Sequence, residues 1–139
     1  MIIINGENLI MGRVLSHIAK YVLLGEEVVL VNCEKMMVSG AKNVILTRQR
    51  FLADLKGKPN RGRFYYSGPS DFVKRCLRGM LPKNNRGKHA YARVKCYTNI
   101  PEQFKNGKHE TYQSDHISKL PNMKYMAVAD ICKEMGGKW

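Results

Sequence analysis

Close cysteine pairs are missing. Cys33, Cys76, Cys96 and Cys132 are single and widely separated, whereas a structural zinc site draws ligands from Cys or His pairs a few residues apart. This argues against a metal centre and against a disulfide framework. The neighbours are mostly apolar, as in Val31-Asn32-Cys33 and Ile131-Cys132. The four therefore read as small buried hydrophobes kept reduced in a cytosol.

Acids are also scarce, with 11 Asp plus Glu against 24 Lys plus Arg, a net charge of +13. No paired carboxylates and no Ser or Cys nucleophile motif stand out. His17, His89, His109 and His116 are scattered. His17 falls on the polar side of its expected helix, so no general base or metal ligand has a visible partner. The chain has no spanning apolar run, no cationic-then-apolar leader and no lipidation motif, which leaves a membrane without a second anchoring signal. Neither a GxGxxG nor a GxxxxGK[ST] loop occurs. The expectation is a protein that is not an enzyme, with no cofactor, no metal, no membrane and no small-molecule substrate.

What is present suffices for a core. The 139 residues suit a single domain, 1–139, and the 44% that are hydrophobic are spread from end to end. Met1 to Ile4 reads as a buried strand running into a turn at Asn5-Gly6. Met11, Val14, Leu15, Ile18, Ala19, Val22 and Leu23 line one face of a helix that Gly25 stops. Val28 to Val31 suits a strand covered on both faces, as in a parallel sheet, and strand, helix, strand implies a right-handed crossover. After Ser39-Gly40 a second helix is expected, with Val44, Ile45, Phe51, Leu52 and Leu55 sharing the inward face. Arg48 falls in that sector, its stem covering apolar surface at the rim.

Gly57 to Gly68 is rich in glycine, cations and aromatics and reads as an extended loop. Pro69-Ser70-Asp71 starts a helix with Phe72, Val73, Cys76, Leu77 and Met80 inward and Lys74, Arg75 and Arg78 outward, ended by Pro82. A short helix over 84–93, a strand from Val94 to Tyr97 and a mostly looped stretch from Thr98 to Lys124 follow. A last helix carries Val128, Ile131, Cys132 and Met135, with Gly136-Gly137 as its stop. The fold class expected is α/β: a central, mainly parallel sheet flanked by helices in three layers, with a basic loop extension.

The cations are concentrated. Residues 48 to 95 hold fourteen, Arg48, Arg50, Lys56, Lys58, Arg61, Arg63, Lys74, Arg75, Arg78, Lys83, Arg86, Lys88, Arg93 and Lys95, opposed only by Asp54 and Asp71. That third of the chain carries +12 and the rest +1. Lys and Arg neutralise phosphates, glycine permits close approach, and Phe64, Tyr65, Tyr66 and Tyr91 offer ring faces to unpaired bases. An irregular, loop-borne basic surface fits structured RNA better than a DNA operator, and no helix-turn-helix, zinc-finger or basic-zipper pattern is present. The fourteen cations with Tyr65 and Tyr66 are the candidate RNA-binding residues.

The run LRGMLPKNNRGKHAYARVKCY, from Leu77 to Tyr97, closely resembles the signature of the thirteenth large-subunit ribosomal protein family, most specifically at Arg78-Gly79-Met80-Leu81-Pro82. MGRVLSHIAKYVLLG (Met11 to Gly25) and VVLVNCEKMMVSGAK (Val28 to Lys42) resemble the same family in the same order. The direct run from Gly25 to Val28 and the IPEQF segment from Ile100 to Phe104 are similar to its archaeal and eukaryotic branch. The resemblance implies a compact α/β fold, large-subunit ribosomal RNA as partner, neighbouring large-subunit ribosomal proteins, early service in subunit assembly and a cytoplasmic location in the large subunit. It implies RNA contact by Arg78, Lys83, Arg86, Lys88 and Arg93, and by the basic stretch from Lys56 to Arg63.

Two other readings share some features. A nucleotide-binding α/β enzyme could place backbone amides against a phosphate at Asn5-Gly6 or Ser39-Gly40, each before a helix, although the glycines are more cheaply explained as turn and cap residues. A free RNA-binding regulator or chaperone would share every electrostatic feature of a ribosomal component.

Overall fold

A computed structural model describes residues 1–55 and 67–139. The candidate contacts Lys56, Lys58, Arg61, Arg63, Tyr65 and Tyr66 lie outside the described residues. β1 (Ile2–Asn5) and β2 (Val28–Val31) form the parallel centre of a four-stranded sheet and are connected by α1 (Met11–Leu24). Both are runs of Ile, Val and Leu, so each strand has an apolar residue for each face of the sheet. Ile4, Val28 and Leu30 point to the main core, while Ile3, Val29 and Val31 point to the other face.

β4 (Val94–Cys96) joins β2 on one side and β5 (His109–Glu110) joins β1 on the other, both parallel, giving the order β4-β2-β1-β5. This is the α/β class and the mainly parallel sheet expected. β3 (Met37–Ser39) pairs antiparallel with β6 (Tyr125–Ala127) in a separate ribbon. The antiparallel ribbon, and the pairing of β5 in the stretch expected to be mostly loop, were not anticipated.

α1 buries the stripe its spacing implies, with Val14, Leu15, Ile18 and Val22 fully enclosed. Gly25 ends it at φ 108°, a left-handed conformation that glycine adopts without Cβ strain. α3 (Pro69–Met80) and α4 (Asn85–Ala92) pack against α1 and β4 on the same sheet face. α5 (Val128–Glu134) continues that core through Val128, Ile131 and Cys132. The third layer is thin: Tyr97, Ile100 and Phe104, beside a single 3-10 turn at Glu102–Phe104, cover Ile3, Val29 and Val31.

α2 (Lys42–Asp54) corrects one expectation. Its inward residues are Ile45 and Leu46, while Val44, Phe51 and Leu55 are 67%, 62% and 46% exposed. Apolar residues occupy most of the circumference of this helix, so period alone does not select a face, and contacts with α5 decide it. Arg48 stays at the rim as expected: it is exposed, yet it lines the cavity between α2 and α3 beside Leu52, Phe72 and Cys76. Met80, expected inside, is 43% exposed at the end of α3. Cys33 and Cys132 are buried and Cys76 and Cys96 only partly so, all as free thiols. Burial pushes the Cys132 thiol up to about 11 and raises that of Cys76.

Candidate nucleic-acid interface

The α3–α4 corner collects the cations. α3 turns Phe72, Val73 and Leu77 inward, which directs Lys74, Arg75 and Arg78 away from the core. Leu81 is buried just beyond its end and anchors the turn, leaving Pro82 and Lys83 exposed. Asn84 caps α4 by accepting from the Gly87 amide at 2.9 Å, satisfying one of the donors that a helix start leaves without a partner. A Cβ at Gly87 would lie 1.9 Å from the Pro82 carbonyl oxygen. Only glycine lets α4 begin so close to the preceding turn.

This close approach shapes a cavity of about 540 Å³. Leu81, Pro82 and Tyr91 wall it, with Gly79 and Gly87, and Arg75, Arg78, Lys83 and Lys88 rim it. The Lys74 ammonium sits 5.1 Å from the centre of the Tyr91 ring, a cation–π contact. A second cavity of about 200 Å³ also takes Tyr91 as a wall, with Lys74, Arg75, Arg78 and a single acid, Asp71. Among the described residues, five cations therefore surround one aromatic ring together with one carboxylate. The local field is strongly positive, and the apolar floor weakens solvent screening there.

The other described candidates go elsewhere. Arg86 donates to the Leu23 carbonyl at 3.2 Å and Arg93 to the Val22 carbonyl at 3.3 Å. Both satisfy acceptors at the negative end of α1, where a cation is also favoured by the helix dipole. Arg50 pairs with Glu134 on α5 at 3.5 Å, a carboxylate that Lys42 also approaches, at 3.7 Å. Arg48 lines a separate cavity between α2 and α3, with Arg75. Lys95 is exposed on edge strand β4, between Val94 and Cys96, which face the main core, so it projects from the opposite sheet face. Sequence therefore located the basic region, and folding brings together Lys74, Arg75, Arg78, Lys83 and Lys88.

Tyr91 was outside the candidate set, although its spacing from Gly87 and Lys88 places all three on neighbouring positions of one helix. His17 has the partner that the sequence did not reveal. Its Nε2 lies 3.3 Å from Oδ2 of Asp115, a carboxylate only 3% exposed, and its ring stacks on Tyr112 at 5.4 Å. Burial and the neighbouring Tyr21 keep the Tyr112 phenol protonated well above its ordinary range.

The turn after β1 is not a phosphate loop. The amides of Gly6, Glu7, Asn8, Leu9 and Ile10 donate to Val31, the Asn5 side chain, Lys35, Gly6 and Asp115 respectively. A Cβ at Gly6 would meet Met36 at 2.8 Å, so this glycine serves packing. The Gly40 amide is likewise engaged, by the Lys124 carbonyl at 2.9 Å. In the first turn no amide from Gly6 to Ile10 is left as a free donor for a nucleotide phosphate.

Among known proteins, the model of the family described as ribosomal protein L13 matches residues 1–103. The chain belongs to the ribosomal protein L13 family. Curated relatives extend the likeness to the remaining residues, 104–139, of this L13 chain. The large ribosomal subunit protein uL13 of Methanococcoides burtonii is 34% identical, covering 100% of both chains. That of Methanocaldococcus jannaschii is 35% identical, again covering 100% of each. That of Sulfolobus acidocaldarius is 34% identical over 99% of this chain and 94% of its own. Membership gives the chain a structural ribosomal role and not an enzymatic one.

Proposed function

We propose that this L13-family chain is built into the large ribosomal subunit in the cytoplasm, holding ribosomal RNA through its α3–α4 corner and acting early in subunit assembly. The observation that carries the reading is the gathering of Lys74, Arg75, Arg78, Lys83 and Lys88 around Tyr91 with Asp71 as the one acid lining the two cavities. Such a surface neutralises closely spaced phosphates and releases their counterions. Lys56, Lys58, Arg61, Arg63, Tyr65 and Tyr66, which precede α3 in the chain, contact the RNA as well; Arg48, Arg50 and Lys95 contribute at the margins of the corner. Arg86 and Arg93 contact RNA with whatever donors α1 leaves unused. Neighbouring large-subunit proteins complete the surroundings.

Two measurements test this. In sucrose gradients at moderate salt the chain cosediments with large subunits; a predominantly free pool would overturn the ribosomal reading. Binding of the full chain to transcribed large-subunit ribosomal RNA follows salt with a log–log slope of about −4 to −5 if roughly six phosphates are neutralised. A slope near zero would overturn the electrostatic account.

A further inference from the structure

We infer that the cavity between α3 and α4 receives one nucleotide extruded from the RNA, its base laid against Tyr91 and its phosphates held by Arg75, Arg78, Lys83 and Lys88. This rests on the RNA-binding reading above and adds what it does not contain: a discrete nucleotide site inside a broadly cationic surface.

Three observations carry it. The first is size and lining. A volume of about 540 Å³ falls within the roughly 300–1,000 Å³ of sites that enclose small organic ligands. A phosphate-neutralising surface needs no cavity at all. The walls are apolar, from Leu81, Pro82 and Tyr91, and the rim is cationic, matching a nucleotide's flat base and charged backbone.

The second is the ring. Tyr91 takes part in both cavities, and Lys74 lines only the smaller one. The Lys74 ammonium lies over the ring at 5.1 Å, and the same ring contributes to the lining of the larger cavity. An aromatic wall flanked by cations is the arrangement on which unpaired bases stack. An acidic peptide would answer the cations but leave that wall without a matching flat partner.

The third is Gly79. It lies near the end of α3, is exposed, and a Cβ there would meet nothing within 4 Å. Glycine weakens a helix, and here no close contact demands it. Its missing side chain leaves open space beside the two cavities it lines, this one and that between α2 and α3.

The test uses the full chain and transcribed large-subunit ribosomal RNA, with the wild type, Gly79→Leu, Tyr91→Leu and Tyr91→Phe. Affinity, salt slope, thermal melting and ultraviolet crosslinking are measured on each. The expected result is a mononucleotide adduct on the wild-type peptide containing Tyr91 and an affinity about tenfold weaker in both leucine variants, at an unchanged salt slope. Tyr91→Phe, which keeps the ring, recovers the loss. Gly79→Leu melts no lower than the wild type, so its weakened binding reports a filled cavity; if Tyr91→Leu fails to fold, Gly79→Leu and the adduct still decide. Steep salt-dependent binding with no adduct and full affinity in Gly79→Leu overturns the nucleotide site and leaves the RNA-binding reading standing. Salt-independent wild-type binding overturns that reading itself.

Discussion

The α3–α4 corner and the strap formed by residues 109–120 treat charge in opposite ways. On the strap, Asp115 is buried, but His17 stands 3.3 Å from its carboxylate and the Asp115 carbonyl accepts from Ile10 at 2.8 Å. Ile117 donates to Asn8 at 3.0 Å, and His116 bridges to Leu9. At the corner, five cations share the surroundings of one ring with one acid. A charge taken inside needs a partner within the fold, whereas unbalanced charge persists only at a surface where water bears it until a polyanion arrives. The strap therefore serves stability, and the corner carries the surplus charge on which the proposed RNA contact rests.

The most disruptive way to break this contrast is Gly87→Ala. The added methyl would collide with the Pro82 carbonyl, so α4 must shift, at a cost of about 3 kcal/mol by overpacking. Urea unfolding measures the loss, and a change below about 0.5 kcal/mol would mean that the turn relaxes freely. Asp115→Ala ranks next: removing a buried, partnered carboxylate costs about 2 kcal/mol of stability while RNA affinity stays at the wild-type value. A fall in affinity at constant stability would erase the distinction between strap and corner.

The fold was legible wherever a period was long enough to speak. α1 shows its inward stripe over four turns, and α3 alternates apolar and cationic faces up to Pro82. β3, β5 and β6 are two or three residues long, too short for any period, and exist because partners distant in sequence pair with them. α2 misled because Val44, Phe51 and Leu55 are as apolar as Ile45 and Leu46, and only packing separates them. In the candidate site, charge density located the region. It did not separate Arg78, on the rim, from Arg86 and Arg93, whose guanidinium groups reach α1 across more than sixty residues of sequence.

That separation gives the next prediction. Arg93→Ala costs about 1 kcal/mol of stability, because two of α1's terminal carbonyls are served by Arg86 and Arg93. Arg78→Ala leaves the melting temperature unchanged and weakens RNA binding by about 1 kcal/mol. Melting curves and filter binding on the two variants check it, and interchanged effects would reverse the assignment. The smallest expected effect is Gly79→Ala, which raises stability by about 0.5 kcal/mol through helix propensity alone; calorimetry would detect a loss instead if the glycine were needed by the backbone.

The β3–β6 ribbon bears on how the chain acquires this structure during synthesis. Residues 2–31 can close a strand–helix–strand unit from local sequence as soon as they emerge. Ser39 must wait for Tyr125, however, and β1 keeps one edge unpaired until His109 arrives. Parallel pairing across such separations is slow to form, and domains form from the N-terminal side as the chain is made. The cationic middle is thus exposed in a nascent chain whose sheet is still open, so the final clasp closes only once residues 125–127 have been translated.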